Sequence, residues 1–211
     1  MVTGPYGGLG GEWFTDWWES LDGVDYHPKR PPQQLNIWAG ERVDMLQLLY
    51  GDYSGGHHGD HGGLLTRLRL YNGDTVVRVS GRAGVGPGAG VDQLTFYTAR
   101  YCHCYIHSLS IDNHLCFSGR TLGPFGGAGG RPFDSGDFSS QGCHLAYISG
   151  RSGRRLDQLF LHWRCPKEKE FADMEPYDVG YDGSRSAAAQ EQCCPWHLIF
   201  VTMLHTLIFV R

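Results

Sequence analysis

The chain has 211 residues, a formal net charge of −4, 41% hydrophobic and 13% aromatic residues, and 31 glycines. Glycine is about twice its usual share of roughly 7%, too much for a helical bundle, since each glycine inside a helix costs about 1 kcal/mol relative to alanine. The acidic balance excludes a general nucleic-acid binder, which carries a basic excess. The apolar run from Leu198 to Val210 is broken by Thr202, His205 and Thr206. It falls short of the roughly 20 residues a membrane-spanning helix needs, so no transmembrane span is expected.

Taken in chain order, two kinds of segment alternate three times. A glycine loop comes first, Gly4-Pro5-Tyr6-Gly7-Gly8-Leu9-Gly10-Gly11. Leu35 to Ala39 then reads as a strand, followed by a turn from Gly40 to Asp44; the repeat makes Glu41 to Tyr50 turn and strand rather than helix. A looser glycine loop, Gly55-Gly56-His57-His58-Gly59-Asp60-His61-Gly62-Gly63, comes next. Leu64 to Leu70 and Thr75 to Val79 alternate apolar and polar residues around Asn72-Gly73, which predicts a hairpin. The next acidic turn, Gly81 to Asp92, carries the insertion Val85 to Gly90. Gln93 to Tyr97 and Tyr101 to Ile106 are β-rich, and Gly123-Pro124-Phe125-Gly126-Gly127-Ala128-Gly129-Gly130 repeats the first loop. His144 to Ile148, the turn Gly153-Arg154-Arg155-Leu156-Asp157 and Gln158 to Trp163 complete the third unit. Three β units around one core predict an all-β domain over residues 1–166. Residues 167–211 read as an acidic, disordered tail ending in a short apolar segment.

These motifs resemble the jacalin-related lectins, and in particular the animal zymogen granule membrane lectins. The early glycine loop, the late Gly153-to-Asp157 turn and the run from Ile148 to Trp163 carry the resemblance, which covers about residues 4–165. It implies a β-prism of three four-stranded antiparallel sheets with pseudo-threefold symmetry. It also implies a non-enzymatic, carbohydrate-binding lectin whose ligands are mannose-type glycans. Sulfated or uronate-bearing glycans or microbial polysaccharides are further candidate partners. The chemistry agrees: glycine turns expose backbone N–H groups without side-chain obstruction, and a carboxylate accepts hydrogen bonds from two adjacent sugar hydroxyls. The expected site is Asp157 with Gly153, Arg154, Arg155 and Leu156, and the resemblance implies that the early glycine loop lies beside that turn, so that Gly11 and Gly10 complete it. Asp44 and Asp92 occupy the equivalent turns of the other units and are read as turn stabilisers. A secreted or secretory-granule protein, capable of self-association, is what the resemblance implies. The start Met1-Val2-Thr3-Gly4-Pro5 lacks the form of a secretory leader, which leaves a cytosolic chain or one without its leader. The rival function is a protein-interaction module that kept the prism and lost its sugar.

Other constellations are weaker. Seven cysteines (Cys102, Cys104, Cys116, Cys143, Cys165, Cys193, Cys194) include no CxxC pair, against a zinc ribbon or thioredoxin motif. Cys102-His103-Cys104 with His107, His114 and Cys116 would put potential ligands on both faces of a strand, so buried free thiols are expected. The His57-to-His61 stretch reads as a solvated loop, and neither a metal nor a cofactor is expected. Asp134-Ser135-Gly136 lacks the second copy an aspartic protease needs, and no nucleophile–base pair emerges. Trp13, Phe14, Trp17 and Trp18 serve either sugar stacking or the core. Ser184 to Val210 has the outline of a lipid-anchor signal, or of a tail of other origin. Arg151, Arg154 and Arg155, with Arg120 and Arg131 flanking the last glycine loop, suggest a basic rim that favours anionic glycans.

Overall fold

In the computed structural model, residues 1–19, 25–26, 31–51, 53–71, 74–106, 109–117 and 119–165 are described, with 18–19, 25–26, 101–106 and 109–117 traced by backbone alone. Strands β1 (Val2–Gly7) and β2 (Glu12–Thr15) flank the first glycine loop, and β3 (Trp18–Glu19) pairs with β4 (Asp25–Tyr26) in a small ribbon. Next come β5 (Gln34–Ala39), β6 (Val43–Tyr50), β7 (Tyr53–Ser54), β8 (His58–Gly59) and β9 (Leu64–Arg69). The middle of the chain supplies β10 (Asp74–Ala83), β11 (Val91–Ile106), β12 (Leu109–Phe117), β13 (Thr121–Gly126) and β14 (Arg131–Asp134). A single 3-10 turn at Ser139–Gln141 precedes β15 (His144–Ser152) and β16 (Leu156–Arg164).

Three antiparallel sheets result, ordered β1-β16-β15-β2, β7-β6-β5-β9 with β8 also on β6, and β12-β11-β10-β14 with β13 also on β11. Each sheet has the same plan: an inner hairpin closed by an acidic turn, flanked by the strands on either side of a glycine loop. The registers agree residue for residue. Glu12, Leu64 and Arg131, each following a glycine pair, face Ser152, Ala39 and Ala83. This is the all-β, three-unit domain expected from the repeats and the β-prism implied by the resemblance. It departs from three plain four-stranded sheets because the outer position is shared by two strands in the second and third sheets. Glu41 to Tyr50 is turn and strand, as the repeat requires.

One pairing differs from the sequence reading. The segments either side of Asn72-Gly73 are strands, but β9 and β10 do not pair with each other. β10 has β11 on one edge and β14 on the other, so no edge remains for β9, which pairs with β5 instead. The Asp74 N–H donates to the Tyr71 carbonyl at 2.8 Å, a turn that carries the chain between sheets. Asn72 and Gly73 themselves lie outside the described residues, as does the 167–211 tail.

The three inner faces meet in one core, to which Leu35 and Leu46, Val79 and Phe96, and Ile148 and Leu161 contribute from the respective sheets, all fully buried. Period-2 alternation places them there, and each such side chain contributes roughly 1.5–3 kcal/mol of transfer free energy. The last strand is tied down by a disulfide between Cys143 and Cys165, 22 residues apart. Side chains of the Cys102-to-Cys116 group lie outside those described. The first strand closes onto the last: the Met1 ammonium and the Trp163 carbonyl are 2.9 Å apart, and Trp163 Nε1 donates to Thr3 Oγ1.

Candidate functional site

Antiparallel register puts all three glycine loops and all three acidic turns at one end of the prism. There each unit builds the same cradle. The N–H groups of Gly8, Asp60 and Gly127 donate to the carbonyls of Asp157, Asp44 and Asp92, at 2.9, 3.2 and 3.0 Å. The turns themselves are closed by Gly153 N–H to Arg155 carbonyl, Gly40 to Arg42 and Gly84 to Gly90. Each carboxylate then lies against a glycine pair with no side chain between. A Cβ on Gly10 would sit 2.9 Å from Asp157 Oδ1, one on Gly62 2.7 Å from Asp44 Cγ, and one on Gly129 2.9 Å from Asp92 Oδ1. Gly11, Gly63 and Gly130 hold φ near +60°, a left-handed conformation that favours glycine.

The first cradle brings together every residue expected at the sugar site. Leu156 is fully buried and anchors the turn in the core, while Arg154 is exposed at its tip. Asp157 is only 6% exposed. Its Oδ1 accepts from Arg155 Nε at 3.1 Å, and Arg155 Nη2 also donates to the Gly88 carbonyl. Asp157 Oδ2 faces Gly11 and Gly153. The insertion Val85 to Gly90, read from sequence as a departure from the repeat, therefore leans on this cradle: Gly8 faces the carbonyls of Gly86 and Ala89. A shallow cavity of about 360 Å³ joins this cradle to the second, lined by Arg42, Asp44, Arg154, Arg155 and Asp157. Burial raises the Asp44 carboxyl above its usual range, offset in part by Arg42.

The arginines are not arranged as a single rim. Arg151 donates to the Gly11 carbonyl at 3.0 Å, and Arg82 in the third unit donates to the carbonyls of Gly129 and Gly130, both at 2.8 Å. Both brace glycine loops. Arg131 opens β14 beside Gly130, at the third cradle. Arg120 precedes β13, whose far end at Gly126 makes the cradle, so the strand's length separates Arg120 from the other arginines. A strand reverses end for end what sequence proximity suggests.

The aromatic residues divide. Trp13 is 58% exposed and tilts against Phe160 at 5.7 Å, whereas Phe14 packs on the core. Trp17 lies against Tyr147 at 5.3 Å, and only the backbone of Trp18 is described. Sequence reasoning missed the role of His58. Rather than lying in a solvated loop, His58 is buried, its Nε2 is 2.7 Å from Asp16 Oδ1, and its ring stacks on Phe14 at 3.6 Å. The Gly56 N–H also reaches Asp16 Oδ1, joining the second glycine loop to the segment after the first. His57 and His61 are exposed, as the loop reading expected.

Comparison with known proteins agrees with this architecture. The Jacalin-like lectin domain family matches residues 3–162. Zymogen granule membrane protein 16 of Rattus norvegicus is 32% identical over 166 residues, spanning 76% of this chain and 78% of the relative. Its Homo sapiens counterpart is 30% identical over 168 residues, with the same coverage. Among solved structures, AcmJRL, a mannose binding jacalin related lectin from Ananas comosus, superposes with a TM-score of 0.58. It is 21% identical, and 79% of this chain and 98% of that one are covered. With family match, relatives and fold in agreement, the chain belongs to the jacalin-like lectins, a family of carbohydrate-binding proteins.

Proposed function

We propose that the chain binds mannose-type glycans, without catalysis, at the first cradle: Gly10, Gly11, Gly153, Arg154, Arg155, Leu156 and Asp157. One observation carries the reading: the buried carboxylate of Asp157 stands against the open backbone wall of the first loop, with Oδ1 toward Gly10 and Oδ2 toward Gly11. A carboxylate has about four lone-pair positions, so Arg155 leaves acceptors for two sugar hydroxyls. The mannose-binding fold relative supports the choice of hexose. Exposed Arg154 favours glycans that add a sulfate or uronate, because a guanidinium pairs well with such groups.

We place the lectin domain at residues 1–166 and the protein in the secretory pathway. The names of the relatives and the Cys143–Cys165 bond, which oxidising compartments favour, support that location. Among the described residues no helix is long and apolar enough to cross a membrane.

A glycan array with wild type and Asp157→Ala tests the site. The expected result is binding to mannose-terminated glycans that the variant loses; equal binding would move the site elsewhere. A second reading, a protein-interaction module without sugar, draws on the Arg155–Asp157 contact, which engages one acceptor. An array blank for every glycan, together with a defined protein partner, would favour it.

A further inference from the structure

We propose a second, separate ligand site at the opposite end of the prism: a groove between β9 and β13 that binds a tetrahedral oxyanion, sulfate or phosphate. The groove encloses about 230 Å³ and is lined by Arg67, Leu68, Arg69, Tyr71, Arg120 and Leu122. Strand alternation sets Arg67 and Arg69 on the same face of β9, about 7 Å apart along the edge of its sheet. Both are exposed, and neither guanidinium has an ion pair or hydrogen bond among the described residues.

Arg120, by contrast, is fixed in place. Its Nη2 donates to Asp74 Oδ2 at 3.0 Å and to the Arg69 carbonyl at 3.1 Å, and the guanidinium lies over the Tyr71 ring at 5.3 Å. Asp74 is buried and is itself held by Arg100 Nε at 2.7 Å. One carboxylate thus serves two guanidiniums, while Arg67 and Arg69 have no carboxylate partner among the described residues. In a chain of net charge −4 this is a local positive excess.

Guanidinium groups donate in pairs to sulfate and phosphate oxygens, and one that is already positioned loses less freedom on binding. The small groove fits a single oxyanion rather than a long polyanion track. Tyr71, 63% exposed, and the two leucines offer apolar surface to whatever organic group carries the anion.

Calorimetric titration of the full chain tests the site with inorganic sulfate, inorganic phosphate, glucose 6-sulfate and glucose 6-phosphate, and with glucose as control. Binding of at least one oxyanion probe is expected. The Arg67→Gln/Arg69→Gln double variant should weaken it about tenfold or more, a change of about 1.4 kcal/mol. Because both side chains are exposed, circular dichroism should show an unchanged fold. Arg120→Ala should weaken binding too, while Asp157→Ala, at the far cradle, should leave it unchanged. Esters that bind better than the free ions identify an ester as the ligand; equal binding identifies the free ion. No binding by any probe, the same binding by the double variant, or loss in Asp157→Ala would overturn the site.

Discussion

Replacing Gly10 by alanine separates the first cradle's binding role from its structural one. The new Cβ would lie 2.9 Å from Asp157 Oδ1, closer than real Cβ atoms tolerate, and a tight 3.1 Å from Cγ. Gly10 does not hold a left-handed φ, so the backbone accepts alanine and the conflict is confined to the carboxylate. Asp157 must rotate away from the glycine wall, giving up its 3.1 Å contact with Arg155. The pair is largely buried, with side chains 22% and 9% exposed, so losing a hydrogen bond to a charged group costs about 1.5–3 kcal/mol and the urea midpoint should fall measurably. Sugar binding should suffer as well. Each hydrogen bond to a charged group is worth about 1.5–3 kcal/mol, and losing one would raise the Kd for methyl α-mannoside roughly 10- to 100-fold. Gly129→Ala supplies the internal control, because its Cβ would meet Asp92 Oδ1 at the same 2.9 Å in the third cradle. Asp92 has no ion pair to give up among the described residues, so this variant should cost less stability and leave calorimetric binding unchanged. Equal loss of affinity in both variants, or wild-type titration by Gly10→Ala, would refute the assignment of the sugar to the first cradle.

Three further outcomes are expected. His58→Ala should destabilise by about 3 kcal/mol in urea unfolding, since it leaves the Asp16 carboxylate buried without its partner and removes the Phe14 stack. Serine at both Cys143 and Cys165 should cost about 3 kcal/mol under oxidising conditions, the chain-entropy value for a loop of this length, with no further loss when reductant is added. Burial pushes His144 and His162 down to about 4, with smaller contributions from Arg164 and the chain amino terminus. Unfolded histidines therefore take up protons that folded ones refuse; the stability they contribute is complete above about pH 6.5 and is lost progressively as pH falls toward 4. Thermal unfolding across that range should show the decline, and His162→Gln should flatten it.

Much of the architecture was legible because it repeats. Three glycine loops and three acidic turns appear in the sequence in the order in which the sheets use them, and Gly10, Gly11 and Asp157 meet as the family resemblance implied. What was not legible depended on edges and depth. Alternation identified Leu64 to Leu70 as a strand but carried no information about which edge was free, so Asn72-Gly73 read as a hairpin instead of a crossing between sheets. His58 reads like its neighbours His57 and His61; only the fold brings Asp16, 42 residues away, against it. The cysteine pair had no motif spacing, because two strand ends rather than a local loop bring Cys143 to Cys165. Arg120 was misplaced for a similar reason, since being next to a glycine loop in sequence still leaves a whole strand between them.

The closure of β1 onto β16 sets an order of assembly. The second sheet draws all its strands from residues 34–69 and the third from 74–134, so each can form from contiguous chain. The first sheet cannot. Its outer strands precede both other sheets in the chain and its inner hairpin follows them, with pairs such as Val2 and His162 separated by most of the domain. Contacts of such long sequence separation are the slow ones, because a large loop must close before they are rewarded. The cradle holding Gly10, Gly11 and Asp157 thus straddles the seam at which the domain is sealed. An incompletely synthesised or clipped chain could carry the other two cradles intact and still lack this one, so its presence reports that the whole domain has folded.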